Sequence, residues 1–174
     1  KQHPYSGQIL LQGQDIAQSK PRELYRKIGI VFQNPANQFV TQNVEDEVCV
    51  GLRLWQPDLP ADVCRSKAEE LLELYGLKRQ RKYSPYMLSQ GQQRRLGVAA
   101  LMAYDCRVLV CDEPTYAQDR TNTMAVMDEL CRAARSRRAA LIFSTHDRQL
   151  AEDYGDVVLR LEGGKLHEAA QSRG

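Results

Sequence analysis

The second half of the chain alternates between two kinds of segment, and that alternation restricts the fold more than any other feature of the sequence. Val108 to Cys111 is a short apolar run, and Asn122 to Arg135 carries a helical pattern. Ala140 to Ser144 is apolar again, and Asp147 to Tyr154 reads as a second helix. A parallel strand is reached only through a crossover, and the usual crossover is a helix. The order therefore predicts an α/β fold with a mainly parallel sheet. Val157 to Glu162, Gly163-Gly164 and Lys165 to His167 predict a closing hairpin.

The first half obeys the same logic with one interruption. Ile9 to Leu11 reads as a strand ended by Gly13, and Ile28 to Phe32 as a buried strand. Pro21 to Lys27 between them reads as a short helix capped by Ser19, with proline in its first turn. Val44 to Leu52 and Ala61 to Tyr75 are helical, the second closed by Gly76, and Ser89 starts a helix that runs to about Ala103. Residues 44–86 thus predict a helical lobe inserted between two strands of a single domain spanning 1–174.

Composition removes several alternatives. The 174 residues are 43% hydrophobic, with 24 Lys+Arg against 22 Asp+Glu and a net charge of +2. That is ordinary globular material, and the charge argues against a dedicated nucleic-acid binder. No apolar run approaches the roughly 18 residues that span a bilayer. Five cysteines, an odd number with no C-x-x-C spacing, support neither a disulfide framework nor a zinc site, and they suit a reducing cytoplasm. The chain carries no signal peptide and does not open on methionine, which is expected of a fragment.

Chemistry gathers where the apolar runs stop. Arg107-Val108-Leu109-Val110-Cys111-Asp112-Glu113-Pro114-Thr115 delivers two acids at the point where a strand leaves the sheet. Ligand sites of open α/β sheets lie at such carboxyl ends. One acid there can hold Mg²⁺ and its neighbour can act as general base toward water. An Asp-Glu-Pro turn that only caps the next helix fits the same residues. Ile30 to Pro35 ends a strand in the amide of Gln33, and Leu141 to Asp147 ends one in His146, a residue type that also serves as a helix cap. Three strand ends thus send Gln33, Asp112-Glu113 and His146 to one sheet edge. Separately, Leu88-Ser89-Gln90-Gly91-Gln92 opens a helix. Ser89 and Gln92 form a capping box, and the free amides beside Gly91 make an anion site.

In this order and spacing the stretches resemble the ATP-binding cassette (ABC) family. Gln33 matches the Q-loop, Leu88 to Gln92 the signature, Val108 to Glu113 Walker B, Ala117 to Asp119 the D-loop and His146 the switch histidine. Gln33 to Phe39 with Thr41 to Gly51, and Glu113 to Asp119, resemble energy-coupling factor and cobalt-type importers in particular. The resemblance implies a P-loop NTPase-like sheet with an inserted helical lobe, and ATP and Mg²⁺ as ligands. It also implies a role as the ATP-hydrolysing subunit, or one half of a fused pair, of an importer for vitamins or for cobalt and nickel ions. Such a protein works at the cytoplasmic face of the cell membrane. Its partners are a second ATPase subunit or domain arranged head to tail and a transmembrane subunit, whose coupling helix docks around Asn34 to Trp55; nucleic acid is not among them.

Carried over residue by residue, Asp112 orients Mg²⁺ through water and Gln33 senses the γ-phosphate and the metal. Glu113 polarises the attacking water and His146 contacts the γ-phosphate. Ser89, Gly91 and Gln92 clamp the partner's nucleotide, and Asp119 communicates across the dimer. Two departures stand out. Gln90 replaces the first glycine of the signature, and no Walker A string G-x-x-x-x-G-K-[ST] occurs. The one Gly-Lys pair, Gly164-Lys165, lies in the terminal hairpin. The family places Walker A ahead of Lys1, with Lys1 to Tyr5 ending its helix. The N-terminal part of the fold is then missing, and the 174 residues alone are expected to bind Mg-ATP weakly and hydrolyse none. Two other readings stand beside this one. One is a non-catalytic module that lends its signature to a partner's site, and the other is a soluble cassette protein acting on ribosomes or DNA.

Overall fold

The computed structural model describes residues 6–103, 106–116 and 119–168. Its framework is a three-stranded parallel sheet in the order β3 (Ile28–Val31), β4 (Val108–Cys111), β5 (Ala140–Phe143). Ahead of it come a short antiparallel pair, β1 (Leu10–Leu11) and β2 (Gln14–Asp15), and the helix α1 (Pro21–Lys27). Proline occupies the first turn of α1, as expected. The cap, however, is Lys20 without a side-chain bond, because Ser19 instead closes the preceding turn by donating its amide to Ile16. Behind the sheet come α5 (Arg120–Arg137), α6 (Arg148–Tyr154) and the hairpin of β6 (Leu159–Glu162) and β7 (Lys165–Glu168).

The sheet is in strict register, with Val31 beside Cys111 and Cys111 beside Phe143. Side chains alternate between its faces. Val31, Leu109 and Cys111 point into a core with Met127, Leu130 and Leu150, and Leu141 and Phe143 pack against it. The opposite face carries Ile30 and Ile142, which are 46% and 57% exposed, together with exposed Phe32. The expectation of a fully buried strand at Ile28 to Phe32 therefore holds for one face only. Parallel sheets ordinarily have both faces covered, and an unbroken apolar run does not reveal which cover is present.

Between β3 and β4 the described residues are helical or irregular. They form α2 (Val44–Trp55), α3 (Ala61–Leu74) and α4 (Gln90–Met102). Asn43 caps α2, whose first turn holds Glu45, Asp46 and Glu47, a sign of charge that suits a helix N-terminus. Glu45 is buried against Lys82. Gly76 ends α3 with φ +68°, a conformation that glycine adopts without strain. These helices enclose a second core containing Val44, Val48, Leu52, Leu72 and Leu77. Helix α4 separates the two cores: Leu96, Ala99 and Ala103 face the helical lobe, while Val98, Leu101 and Met102 face the sheet. Among the described residues no helix is long and apolar enough to cross a membrane.

Close approach of α2 to α4 depends on Gly51, where a Cβ would stand 2.3 Å from the Ala100 carbonyl oxygen and 2.9 Å from Ala103 Cβ. Alanine is the better helix former by about 1 kcal/mol. Overpacking against a backbone atom costs about 1–3 kcal/mol, and a carbonyl cannot rotate away as a side chain can. With the clash at the upper end of that range, because it meets backbone, Gly51→Ala is expected to lower stability by up to about 2 kcal/mol in urea unfolding; a variant more stable than the parent would contradict this packing. Burial, the largest cause for each, pushes the thiols of Cys49 and Cys111 up from 9.0 to about 12. Unfolded, these thiols lose their protons at lower pH than in the fold. Their contribution is intact below pH 9 and drains away as pH climbs toward 12. Urea midpoints should fall over that range, and Cys111→Ala should flatten the fall.

Candidate functional site at the carboxyl edge of the sheet

Because the three strands run the same way, their carboxyl ends open on one edge. The ladder continues one residue past the strands: the Asp112 amide donates to the Val31 carbonyl at 3.0 Å and the Ser144 amide to the Cys111 carbonyl at 3.0 Å. Asp112 and Ser144 are thereby set side by side. The Ser144 hydroxyl donates to Asp112 Oδ1 at 2.8 Å and accepts the Glu113 amide at 3.0 Å. Glu113 in turn lies 2.7 Å, Oε1 to Nε2, from His146. A serine, two acids and a histidine thus form one connected group.

Glu113 adopts φ +42°, a left-handed conformation that is uncommon for a non-glycine residue and that clusters at functional sites. The Ser144 bond to its amide and the His146 contact to its carboxylate hold it there. Its side chain is 22% exposed, whereas that of His146 is 91% exposed, so the imidazole stands in solvent and leans on the acid. Ser144 was legible only as a polar residue at the end of an apolar run. Its bridging place follows from strand register, which no single segment encodes.

Gln33 follows β3 by two residues and is exposed on the same edge by register. The next stretch is anchored at both ends. Asn34 accepts the Ala36 amide at 3.0 Å to start a 3-10 turn, Pro35–Gln38. Buried Glu47 then receives the amides of Val40 (3.1 Å) and Thr41 (3.0 Å) and the Thr41 hydroxyl (2.8 Å).

The signature-like residues lie elsewhere. Ser89 caps α4 in a reciprocal box with Gln92: its hydroxyl accepts the Gln92 amide at 3.3 Å, and its own amide donates to Gln92 Oε1 at 3.0 Å. Gly91 has no atom within 4 Å of the place a Cβ would occupy. Among the described residues no hydrogen bond joins Ser89, Gly91 or Gln92 to the strand-end group. Asp119 caps α5, taking the Asn122 amide at 2.9 Å and its side-chain amide at 2.6 Å, and the backbone bond holds its carboxyl below the usual range. Ala117 and Gln118 of the D-loop stretch, like Lys1 to Tyr5, lie outside the described residues.

The donors suit Mg²⁺ better than a self-contained metal cage. Among the described residues no three His, Cys, Asp or Glu side chains group to hold an ion by themselves. Asp112 is exposed, and its second oxygen, Oδ2, has no hydrogen-bond partner among the described residues. Mg²⁺ is commonly held by one or two carboxylates plus water and substrate phosphates, and a half-free carboxylate on an open edge offers that.

The chain is 40% identical over 158 residues to the ATP-binding protein YkoD of Bacillus subtilis, covering 91% of this chain and 28% of YkoD. It is 30% identical over 164 residues to the energy-coupling factor transporter ATP-binding protein EcfA of Methanoculleus marisnigri, covering 94% of this chain and 58% of EcfA. It thus spans about a quarter of the length of the first curated relatives it matches. Among solved structures, CbiO1 of Clostridium perfringens, part of the ABC transporter complex CbiONQ, superposes with a TM-score of 0.80 at 30% identity. That match covers 94% of this chain and 65% of CbiO1. The cassette MJ0796, solved as a dimer with ADP and Pi, gives 0.80 at 24% identity over 99% of this chain and 76% of its own, a likeness of fold. The ABC transporter family model matches residues 1–116, and the chain belongs to that family as one of its ATP-binding domains.

Proposed function

We propose that the chain is the nucleotide-handling part of an ATP-hydrolysing subunit, or of one half of a fused pair, in an energy-coupling factor importer for vitamins or for cobalt or nickel ions. The observation that carries the ATPase reading is the Asp112–Ser144–Glu113–His146 group at the strand ends. The importer type is supported by the name of EcfA, an energy-coupling factor transporter ATP-binding protein, and by the stretches Gln33 to Phe39 and Glu113 to Asp119.

In this reading the γ-phosphate of ATP lies over the sheet edge. Asp112 and Gln33 would hold Mg²⁺ there, and the ion would supply positive charge against the phosphates. Glu113 accepts a proton from the attacking water, its backbone fixed by Ser144. A proton on His146 Nε2 lets the ring hold the Glu113 carboxylate in place, and its exposure lets it reach the γ-phosphate. Ser89, Gly91 and Gln92, unattached to this chain's own strand ends, clamp a nucleotide held by a second ATPase subunit or domain facing head to tail. Asp119 relays between the two.

A membrane subunit docks on the helical lobe, keeping the protein at the cytoplasmic face of the membrane. Within Asn34 to Trp55, the stretch that receives it, Val40 is 76% exposed and buried Phe39 meets Tyr86 edge-on with ring centroids 6.1 Å apart. The 174 residues contain no G-x-x-x-x-G-K-[ST] string, so alone they are expected to bind Mg-ATP weakly. A second reading is that the chain only lends Ser89, Gly91 and Gln92, which no hydrogen bond among the described residues joins to its own strand ends, to a partner's site.

Both readings meet one test in the full-length protein. Glu113→Gln should cut ATP turnover by about 10²–10⁴-fold, the usual worth of a general base, while ATP-bound dimers persist. Undiminished turnover would leave the signature-lending reading. Ser144→Ala should lower turnover about tenfold with Mg-ATP affinity little changed, since it frees the Glu113 amide and Asp112 without removing either acid. An unaltered rate in steady-state assays would remove Ser144 from the site.

A further inference from the structure

Two of the five cysteines meet inside the helical lobe. Cys49 lies on α2 and Cys64 on α3, and both are buried free thiols. The Cys64 thiol donates to the Cys49 carbonyl at 3.9 Å. Burial first, and then the hydrogen bond between the two thiols, push the Cys49 thiol up to about 12. The residues are 15 positions apart, a separation that fits no motif, so the pair is visible only in the fold.

Packed helix axes lie about 8–10 Å apart with Cα atoms about 2.3 Å from each axis, which leaves facing Cα atoms about 3.5–5.5 Å apart. A disulfide takes Cα separations of about 4.4–6.8 Å. Small side chains at the contact, Cys64 and buried Ala68 one turn further along α3, favour such an approach. The start of α3 is also the weak point of this packing. Its cap is Pro60, which makes no side-chain hydrogen bond, and Cys64 belongs to the first turn, donating its amide to the Pro60 carbonyl at 2.9 Å. Helix ends without a cap fray most readily. The linker from Gln56 to Pro60 is exposed apart from half-buried Leu59. Unwinding one turn of α3 therefore brings the thiol pair to solvent while the contact of α2 with α4 at Gly51 stays in place.

We propose that Cys49 and Cys64 are a redox-modification site, which a low-molecular-weight disulfide such as oxidised glutathione closes into a bond pinning α2 to α3. The step is two exchanges. One cysteine thiolate attacks a sulfur of RSSR, forming a mixed disulfide and expelling RS⁻. The other cysteine thiolate attacks the protein sulfur of that mixed disulfide and expels the second RS⁻. The two protons given up by the cysteines end on the expelled thiolates, so two cysteine sulfurs are oxidised and RSSR is reduced to two RSH. The thiolate is the nucleophile, so a buried, protonated pair is slow to react until the first turn of α3 opens. Once made, the bond restricts the unfolded chain between the two helices and holds the lobe together.

The test equilibrates the folded full-length protein in glutathione buffers of rising oxidised fraction. Remaining thiols are then blocked with N-ethylmaleimide in urea, and the chain is digested with trypsin without reductant. Trypsin cuts after Lys27, Arg53 and Arg65, so Cys49 and Cys64 fall on separate peptides, 28–53 and 54–65. The expected product is these two peptides joined and released again by dithiothreitol. The oxidised protein should melt about 5–10 °C above the reduced one, and Cys49→Ala or Cys64→Ala should abolish that difference. The wild-type peptide map involves no variant, so it stands if either substitution folds poorly. Three results would each overturn the proposal: both cysteines recovered blocked or joined to glutathione, either one joined to Cys106, Cys111 or Cys131, or a joined pair that forms only in urea.

Discussion

The group at the sheet edge depends on the register of three parallel strands. Hydrogen bonding pairs Val31 with Cys111 and Cys111 with Phe143, so the residues that follow these three arrive together, at the same height and on the same edge. The next peptides extend the ladder, Asp112 to Val31 and Ser144 to Cys111, before the chain turns away. A slip of one residue would send Ser144 to the other face of the sheet. It would then neither bond Asp112 nor hold the Glu113 amide, and His146 would leave its acid. Apolar burial of Leu109, Cys111 and Val31 on one face is what forbids the slip.

That dependence explains which parts could be read in advance. Strand and helix order was legible because each segment announces itself: Val108 to Cys111 by its apolar run, α3 by its closing Gly76, and α4 by the Ser89–Gln92 box. The placing of Gln33, Asp112, Glu113 and His146 on one edge also followed, since parallel order alone requires it. What stayed hidden was pairwise. The bridging place of Ser144, the left-handed backbone of Glu113 and the Gln38–Gly97 contact each join residues 31 to 59 positions apart or arise from such a joint. The bare face of the sheet was hidden for a different reason. Ile30 and Ile142 are as apolar as Val31 and Leu109, and side-chain type does not record what covers it.

Helix α4 ties the two halves together. With a core on each side, it cannot show the one-sided apolar stripe of a surface helix. Its small residues do the work instead. Ala99 and Ala103 face the helical lobe, the Ala100 carbonyl meets α2 at Gly51, and Gly97 receives Gln38. Close packing of this sort is discrete, since interlocked surfaces have few alternative arrangements, and a displacement at one end is passed along rather than absorbed. Ser89 and Gly91 stand at the exposed start of this doubly packed helix.

The strand-end group is held by bonds among its own members, and that bears on what it can do. At the edge, Asp112, Ser144, Glu113 and His146 are mutually bonded, and the uncommon φ of Glu113 persists because its neighbours hold it. A group bonded in this way is suited to holding a geometry, which is what orienting a water or a metal requires.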